Sequence, residues 1–209
     1  MEVRNEQRSD GARPRAHGLW GGKDHELRIQ NYVYAVRSLV VFTLLRIFKC
    51  KNFVFTKANL IFPLCTFEFE KNSQVKFGYK ITMRRNTQIT VRKYGILEIG
   101  SNCFFNANCL LTCHSNIKIG NDCKFGPGTM LFDHDHNMAS EKSIVEKNNF
   151  TSADISIGEG CWFGANCIIL KNSHIGAHCV FGAGTIVNGD YAPGSIVVQK
   201  RTDYIRHFD

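Results

Sequence analysis

No stretch of this 209-residue chain is free of charge for the ~20 apolar residues a membrane span requires. The most apolar segment, Tyr32 to Phe55, is interrupted by Arg37, Arg46, Lys49 and Lys51. It is expected as an amphipathic helix, packed on the main domain or lying on a membrane surface. The first 28 residues, MEVRNEQRSDGARPRAHGLWGGKDHELR, lack an apolar core and mix acids with arginines, unlike a signal peptide. An even cysteine set is missing too. Nine thiols and no leader argue against a disulfide framework, so reduced cysteines and a cytoplasmic, membrane-peripheral location are expected. Zinc-finger spacing and a basic helix with interleaved aromatics are both absent, which argues against nucleic acid as a partner. The net charge of +8 is left to an anionic membrane surface or to a nucleotide-bearing cofactor.

What the chain does have is a repeat. Ile157, Phe163, Ile169, Ile175, Phe181 and Val187 stand six residues apart, followed by Gly158, Gly164, Leu170, Gly176, Gly182 and Asn188. Two positions before each large residue stand Ile155, Cys161, Cys167, Ser173, Cys179 and Thr185. The same register runs through Ile99, Phe105 and Leu111, slips by two residues, and continues at Ile119, Phe125 and Leu131. A fainter version holds Phe77, Met83 and Ile89. A period of six fits neither an α-helix nor a meander. It fits a short strand with a small and a large residue on one face, two positions apart, and then a tight turn suited to Gly or Asn. Three such strands close one coil of a triangular prism, and stacked coils share a core.

This register explains six of the cysteines. Cys103, Cys109, Cys123, Cys161, Cys167 and Cys179 occupy the small inward slot, where a thiol acts as a small hydrophobe. Cys113, beside His114, stands outside that slot.

The hexads, clearest in IGEGCWFGANCIILKNSHIGAHCVFGAGTIV, resemble the hexapeptide-repeat acyltransferases over roughly residues 75–198. Within that family the chain is similar to the maltose, galactoside and nodulation sugar O-acetyltransferases and their capsule or lipopolysaccharide relatives. FFNANCLL and GPGTMLFDHDHN carry this likeness. The resemblance implies an all-β fold, a left-handed parallel β-helix, with an N-terminal helical or irregular appendage. It also implies a homotrimer with active sites at the subunit interfaces, acetyl-CoA as donor, a sugar or glycan acceptor, and no metal.

Between Leu131 and Ile155 the register gives way to a polar excursion that opens with Asp133, His134, Asp135 and His136. Such a loop on a rigid scaffold is a natural place for a site. Transfer to a hydroxyl needs a base for its proton, which a neutral imidazole provides near pH 7. Under the family pattern the base is His136 and the acceptor contact Asn106. Asp133 or Asp135 is expected to orient the ring, Asp135 is also expected to bind the acceptor, and His134 is an acceptor contact or the alternative base. Direct attack needs no acyl-enzyme.

Family resemblance also suggests Trp162, Ala165, Gly182, Ala183 and Gly184 for the coenzyme. The chain has Asn188–Gly189 where the family has Thr-Lys, and VVQKRTDY where the family has Gly-x-Pro-Ala, so Lys200 and Arg201 become the candidates for its phosphates. Alternatives are N-acetylation of an amino sugar, a γ-class carbonic anhydrase using His134 or His136 with His174 and His178, and a non-catalytic scaffold. The expected organisation is a disordered extension over 1–29, the apolar segment over 30–74, and the β-helix over 75–198 with its excursion at 132–154. A tail follows at 199–209.

Overall fold

The computed structural model describes residues 25–48, 50–56, 58–137, 150–200 and 206. One helix, α1 (His25–Phe48), precedes a three-faced parallel β-solenoid. The first coil is β1 (Phe53–Phe55), β2 (Leu60–Ile61) and β3 (Thr66–Phe69), and the second is β4 (Gln74–Phe77), β5 (Thr82–Met83) and β6 (Gln88–Val91). The third is β7 (Ile96–Ile99), β8 (Phe104–Phe105) and β9 (Leu110–Cys113). The fourth is β10 (Asn116–Ile119), β11 (Lys124–Phe125) and β12 (Met130–Phe132). A hairpin, β13 (His134–His136) with β14 (Phe150–Ser152), interrupts the winding. It resumes with β15 (Ile155–Ile157), β16 (Trp162–Phe163) and β17 (Ile168–Ile175), which turns the corner into the next coil. β18 (Val180–Phe181), β19 (Ile186–Tyr191) and β20 (Ile196–Val197) follow.

Face one stacks β1, β4, β7, β10, β15 and the end of β17. Face two stacks β2, β5, β8, β11, β16, β18 and β20. Face three stacks β3, β6, β9, β12 and the start of β17, with β19 beyond. Every ladder between coils is parallel.

The six-residue period is visible in the burial pattern. Phe105, Phe125, Phe163 and Phe181 are all buried and stack ring on ring down face two, with centroids 4.6, 5.1 and 4.9 Å apart and planes within 9°. The predicted inward cysteines are buried. Their thiols donate to turn carbonyls of the next coil, as Cys103 does to Gly120, Cys123 to Gly158 and Cys161 to Gly176, each at 3.2 Å. Turns close on left-handed residues such as Asn102, Asn108, Gly128 and Asn166. Gly126 has a different reason for its missing side chain, since a Cβ there would lie 2.6 Å from the Ala165 nitrogen in the coil beyond.

The solenoid begins at Phe53, one coil before residue 75 where the hexads become legible. In that first coil Phe53 stands where later coils have Val75 and Leu97, Phe67 stands where they have Ile89 and Leu111, and Asn59 takes a small slot. α1 also begins at His25, inside the segment expected to be disordered, whose remaining residues lie outside the described ones.

α1 closes the open end. Phe42 is buried among Phe53, Phe55, Phe67 and Phe77 at 5.2–5.5 Å. Ser38 Oγ accepts the Ile61 N–H, and Arg37 donates to the Ile61 and Phe62 carbonyls. These groups belong to β2, an edge strand that would otherwise invite pairing.

Replacing a ring in the stack removes its burial and leaves a cavity. Phe163→Ala is expected to destabilise the fold by about 3–5 kcal/mol. Trp162→Ala, one residue away but pointing outward, is expected to cost below about 1 kcal/mol. Urea unfolding of the two variants measures this contrast.

Candidate functional site

Coil lengths show where the chain departs from regularity. Val75 pairs with Leu97, 22 residues on; Leu97 with Ile117, 20 on; Ile155 with Ser173, 18 on. Ile117 pairs with Ile155, 38 on, because the hairpin intervenes. All the surplus falls at one edge of the prism, between faces three and one. Going down that edge, the chain presents Glu70, then Arg92, then His114 with Ser115, then the hairpin, then Lys171 and Asn172.

These corner residues hold one another. Arg92 Nη1 lies 2.8 Å from Glu70 Oε1, and this bond keeps the Glu70 carboxyl below its ordinary range. Asp133 is fully buried, and its two oxygens accept the backbone N–H groups of His114 and Ser115, each at 2.7 Å. Asp154, at the other foot of the hairpin, accepts from Ser115 Oγ and Asn116 Nδ2. Lys171, from the coil below, reaches Asp135 Oδ2 at 3.2 Å and donates to Thr151 Oγ1 at 2.8 Å. The hairpin is thus fastened to the coils above and below it.

Three imidazoles gather here. His134 Nδ1 lies 3.4 Å from Asp133 Oδ1, and the His134 ring stacks on His114 with centroids 3.8 Å apart. Phe150 closes over both, 4.5 Å from His114 and 5.5 Å from His134. Only 13% of the His134 side chain reaches solvent, whereas His136, two residues along the same strand, is exposed and meets Phe150 at 4.7 Å. Asp133 therefore addresses His134 rather than His136, and Asp135 faces Lys171. Burial, then the neighbouring His134, pushes the His114 pKa below its usual 6.5, with Asp133 pulling the other way.

His114, Phe150 and Lys171 were not singled out from the sequence. The two-residue slip between Leu111 and Ile119 was the available signal for His114, because that slip marks the same corner as the excursion. Cys113 is fully buried, and burial followed by the Asp133 charge pushes its thiol up, away from thiolate chemistry. Cys109 is pushed up to about 12 by burial.

The remaining predicted residues cluster on another edge. Asn106 follows β8, half-buried, with its Oδ1 accepting the Ala107 N–H at 2.8 Å. Ala165, Gly182 and Ala183 occupy the same face-two to face-three corner in later coils, with Trp162, 54% exposed, on the adjoining face. Lys200 is exposed and Arg201 lies outside the described residues. Face three separates this edge from the histidine edge, so one chain does not bring Asn106 to His136. His174 sits beside Ser156 on face one, and His178 takes a left-handed turn position. Among the described residues no three His, Cys, Asp or Glu side chains are gathered to hold a metal.

The fold and its repeat define a hexapeptide-repeat β-solenoid. Residues 154–189 match the family of bacterial transferase hexapeptides (six repeats), and residues 96–132 match the hexapeptide repeat of succinyl-transferase. The galactoside O-acetyltransferase of Lactococcus lactis is 26% identical over 143 residues, covering 58% of this chain and 68% of its own. That of Escherichia coli is 26% identical over 119 residues, covering 54% and 58%. The chain spans 44–68% of the length of the first curated relatives it matches. Among solved structures, the N-acyltransferase AntD from Bacillus cereus, in complex with dTDP-4-amino-4,6-dideoxyglucose and coenzyme A, superposes with a TM-score of 0.60. It shares 16% identity, covering 78% of this chain and 83% of its own, a likeness of fold alone. The chain is thus similar to hexapeptide-repeat acetyltransferases over its repeat region.

Because His114 takes up a proton less readily in the folded chain than in the unfolded one, its contribution to stability is whole above about pH 6.5 and is lost as pH falls. The melting temperature is expected to hold steady above that pH and to drop on acidification. In His114→Gln the part of the drop due to this group should vanish, which thermal unfolding across pH checks.

Proposed function

We propose that the protein transfers an acetyl group from acetyl-CoA to a hydroxyl of a sugar or glycan, with His136 as general base. The observation that carries this reading is the hairpin: it is braced from two coils, yet it leaves one imidazole open to an arriving acceptor. His136 takes the hydroxyl proton as the oxygen attacks the thioester carbonyl; the C–S bond then breaks and coenzyme A leaves as its free thiol. Attack is direct, and Cys113, buried with its thiol pushed up, takes no part. Asp133 fixes the strand that carries His136 and holds His134, which makes both positioning residues. Acetyl-CoA supplies the activated thioester carbonyl. Small side chains at Ala165, Gly182 and Ala183 beside the exposed Trp162 fit an extended donor arm, and Lys200 is the described cation for its phosphates.

Asn106 and this coenzyme edge stand a full face away from His136. A complete site therefore joins the histidine edge of one copy to the Asn106 edge of another. Each copy offers two different edges, and a closed ring of head-to-tail contacts satisfies both, in keeping with a homotrimer. A second reading, His134 as the base, is favoured by its carboxylate partner at 3.4 Å.

Free-thiol release from acetyl-CoA, measured against a panel of sugars, nucleotide-sugars and amino sugars, tests the proposal. Acceptor-dependent release by the parent should fall about 10²–10⁴-fold in His136→Ala. His134→Ala should lose less and show its loss partly as hairpin instability. The reverse order would make His134 the base. Release with amino sugars alone would replace O- by N-transfer. A folded parent that binds no CoA would end the acyltransferase reading.

A further inference from the structure

The helix that plugs the solenoid is buried on one side only. Of the stretch Ile29–Phe48, 11% is buried, and by length and composition it is apolar enough to cross a membrane. Its seated side is Tyr34, Ser38, Phe42 and Leu45; Tyr34 packs on Phe62 at 4.5 Å and the Leu45 carbonyl accepts the Cys50 N–H at 2.9 Å. The opposite side exposes Ile29, Tyr32, Val33, Val36, Leu39, Val40, Leu44 and Ile47. At ~100° per residue these positions sweep an arc of about 140°, roughly two-fifths of the helix circumference. Arg37 lies at one border of that arc, drawn down to the Ile61 and Phe62 carbonyls, and the exposed Arg46 lies at the other.

We propose that this face of α1 docks the protein flat onto an anionic phospholipid surface, with Arg46, Lys51 and Lys71 at the headgroups. Breadth argues for lipid over a partner helix. A helix-on-helix seam uses a narrow a/d stripe, whereas an arc of about 140° of exposed apolar residues with no charge inside it suits burial in the acyl boundary. Direction agrees, because the helix caps the end of the coil stack and its free face points away from the coils. The helix lies in the surface rather than crossing it: it is fastened to the first coil from Tyr34 to Leu45, so a crossing orientation would pull that coil into hydrocarbon.

Charge supplies the second, independent observation. Where α1 ends, a cleft of about 390 Å³ is lined by apolar Ile47 and Phe48 together with Lys51 and Lys71. Both lysines are exposed. A lining that combines apolar side chains with two lysines suits an anionic headgroup with its acyl chain, and basic residues at such a surface attract anionic lipid. This proposal is independent of the acetyl-transfer reading.

The test is flotation of the full chain with vesicles of phosphatidylglycerol and phosphatidylcholine, compared with phosphatidylcholine alone. The parent should float with the anionic vesicles, weaken with salt and be released by an alkaline wash. Val36→Glu with Val40→Glu, both on exposed positions and so without cost to the core, should reduce binding about ten-fold or more with an unchanged circular-dichroism spectrum. Lys51→Ala should weaken binding about five-fold. A parent that stays in solution overturns the proposal. So does binding that survives the double substitution, equal binding to neutral vesicles, or resistance to the alkaline wash, which would mean a span. If the double substitution instead dissociates an assembly that never bound vesicles, the face is a contact between copies of the chain.

Discussion

The coil-to-coil ladder is the constraint from which the rest of the molecule follows. Strands on three faces must each meet their counterpart one coil further on, in parallel and in step, or the buried column beneath them falls out of line. The face-two phenylalanines show how strict this is, with three successive ring pairs stacked within 9°. An extra residue within a face would turn its inward side chains outward. Insertions are therefore tolerated only at corners. In this chain they accumulate at one, where the coil length falls from 22 to 20 and then 18 residues as the solenoid winds.

That corner is where polar chemistry collects. A turn with spare residues has backbone groups the ladder does not use, and here Asp133 takes two of them. A buried carboxylate held by two N–H bonds fixes the start of the hairpin, and Lys171 fixes its far side. Between these anchors His134 and His114 stack under Phe150 while His136 stays open. The rigid solenoid thus holds the histidine-bearing strand without requiring secondary structure of its own beyond three residue pairs.

Much of this was legible beforehand, for a physical reason. The hexads from Phe77 to Val187 read directly as inward slots, and every cysteine placed there by its spacing is buried. The first coil was not legible, because Phe53 fills a slot that holds Val75 and Leu97 in later coils, and there it meets Phe42 of the helix. Arg37, Arg46, Lys49 and Lys51 suggested too short an apolar core, yet Arg37 is turned inward onto carbonyls and the helix keeps an apolar side. The excursion was visible as a break in period, and Asp133 to His136 as its first residues. Their partners were not, because His114 and Lys171 lie a coil away in space and about twenty or more residues away in sequence. The family pattern named Asn106 and His136 for one site, and winding puts them on different edges of the prism.

That separation makes the account's central claim open to one direct measurement. Two chains, one carrying His136→Ala and the other Asn106→Ala, are each assayed alone, then unfolded together, refolded as a mixture and assayed again. If the site joins the edges of two copies, the mixture regains sites whose histidine comes from one chain and whose asparagine comes from the other, so acceptor-dependent thiol release should reappear. A mixture no more active than the two variants alone, with mixed assemblies present, would contradict the account and return both residues to a single chain.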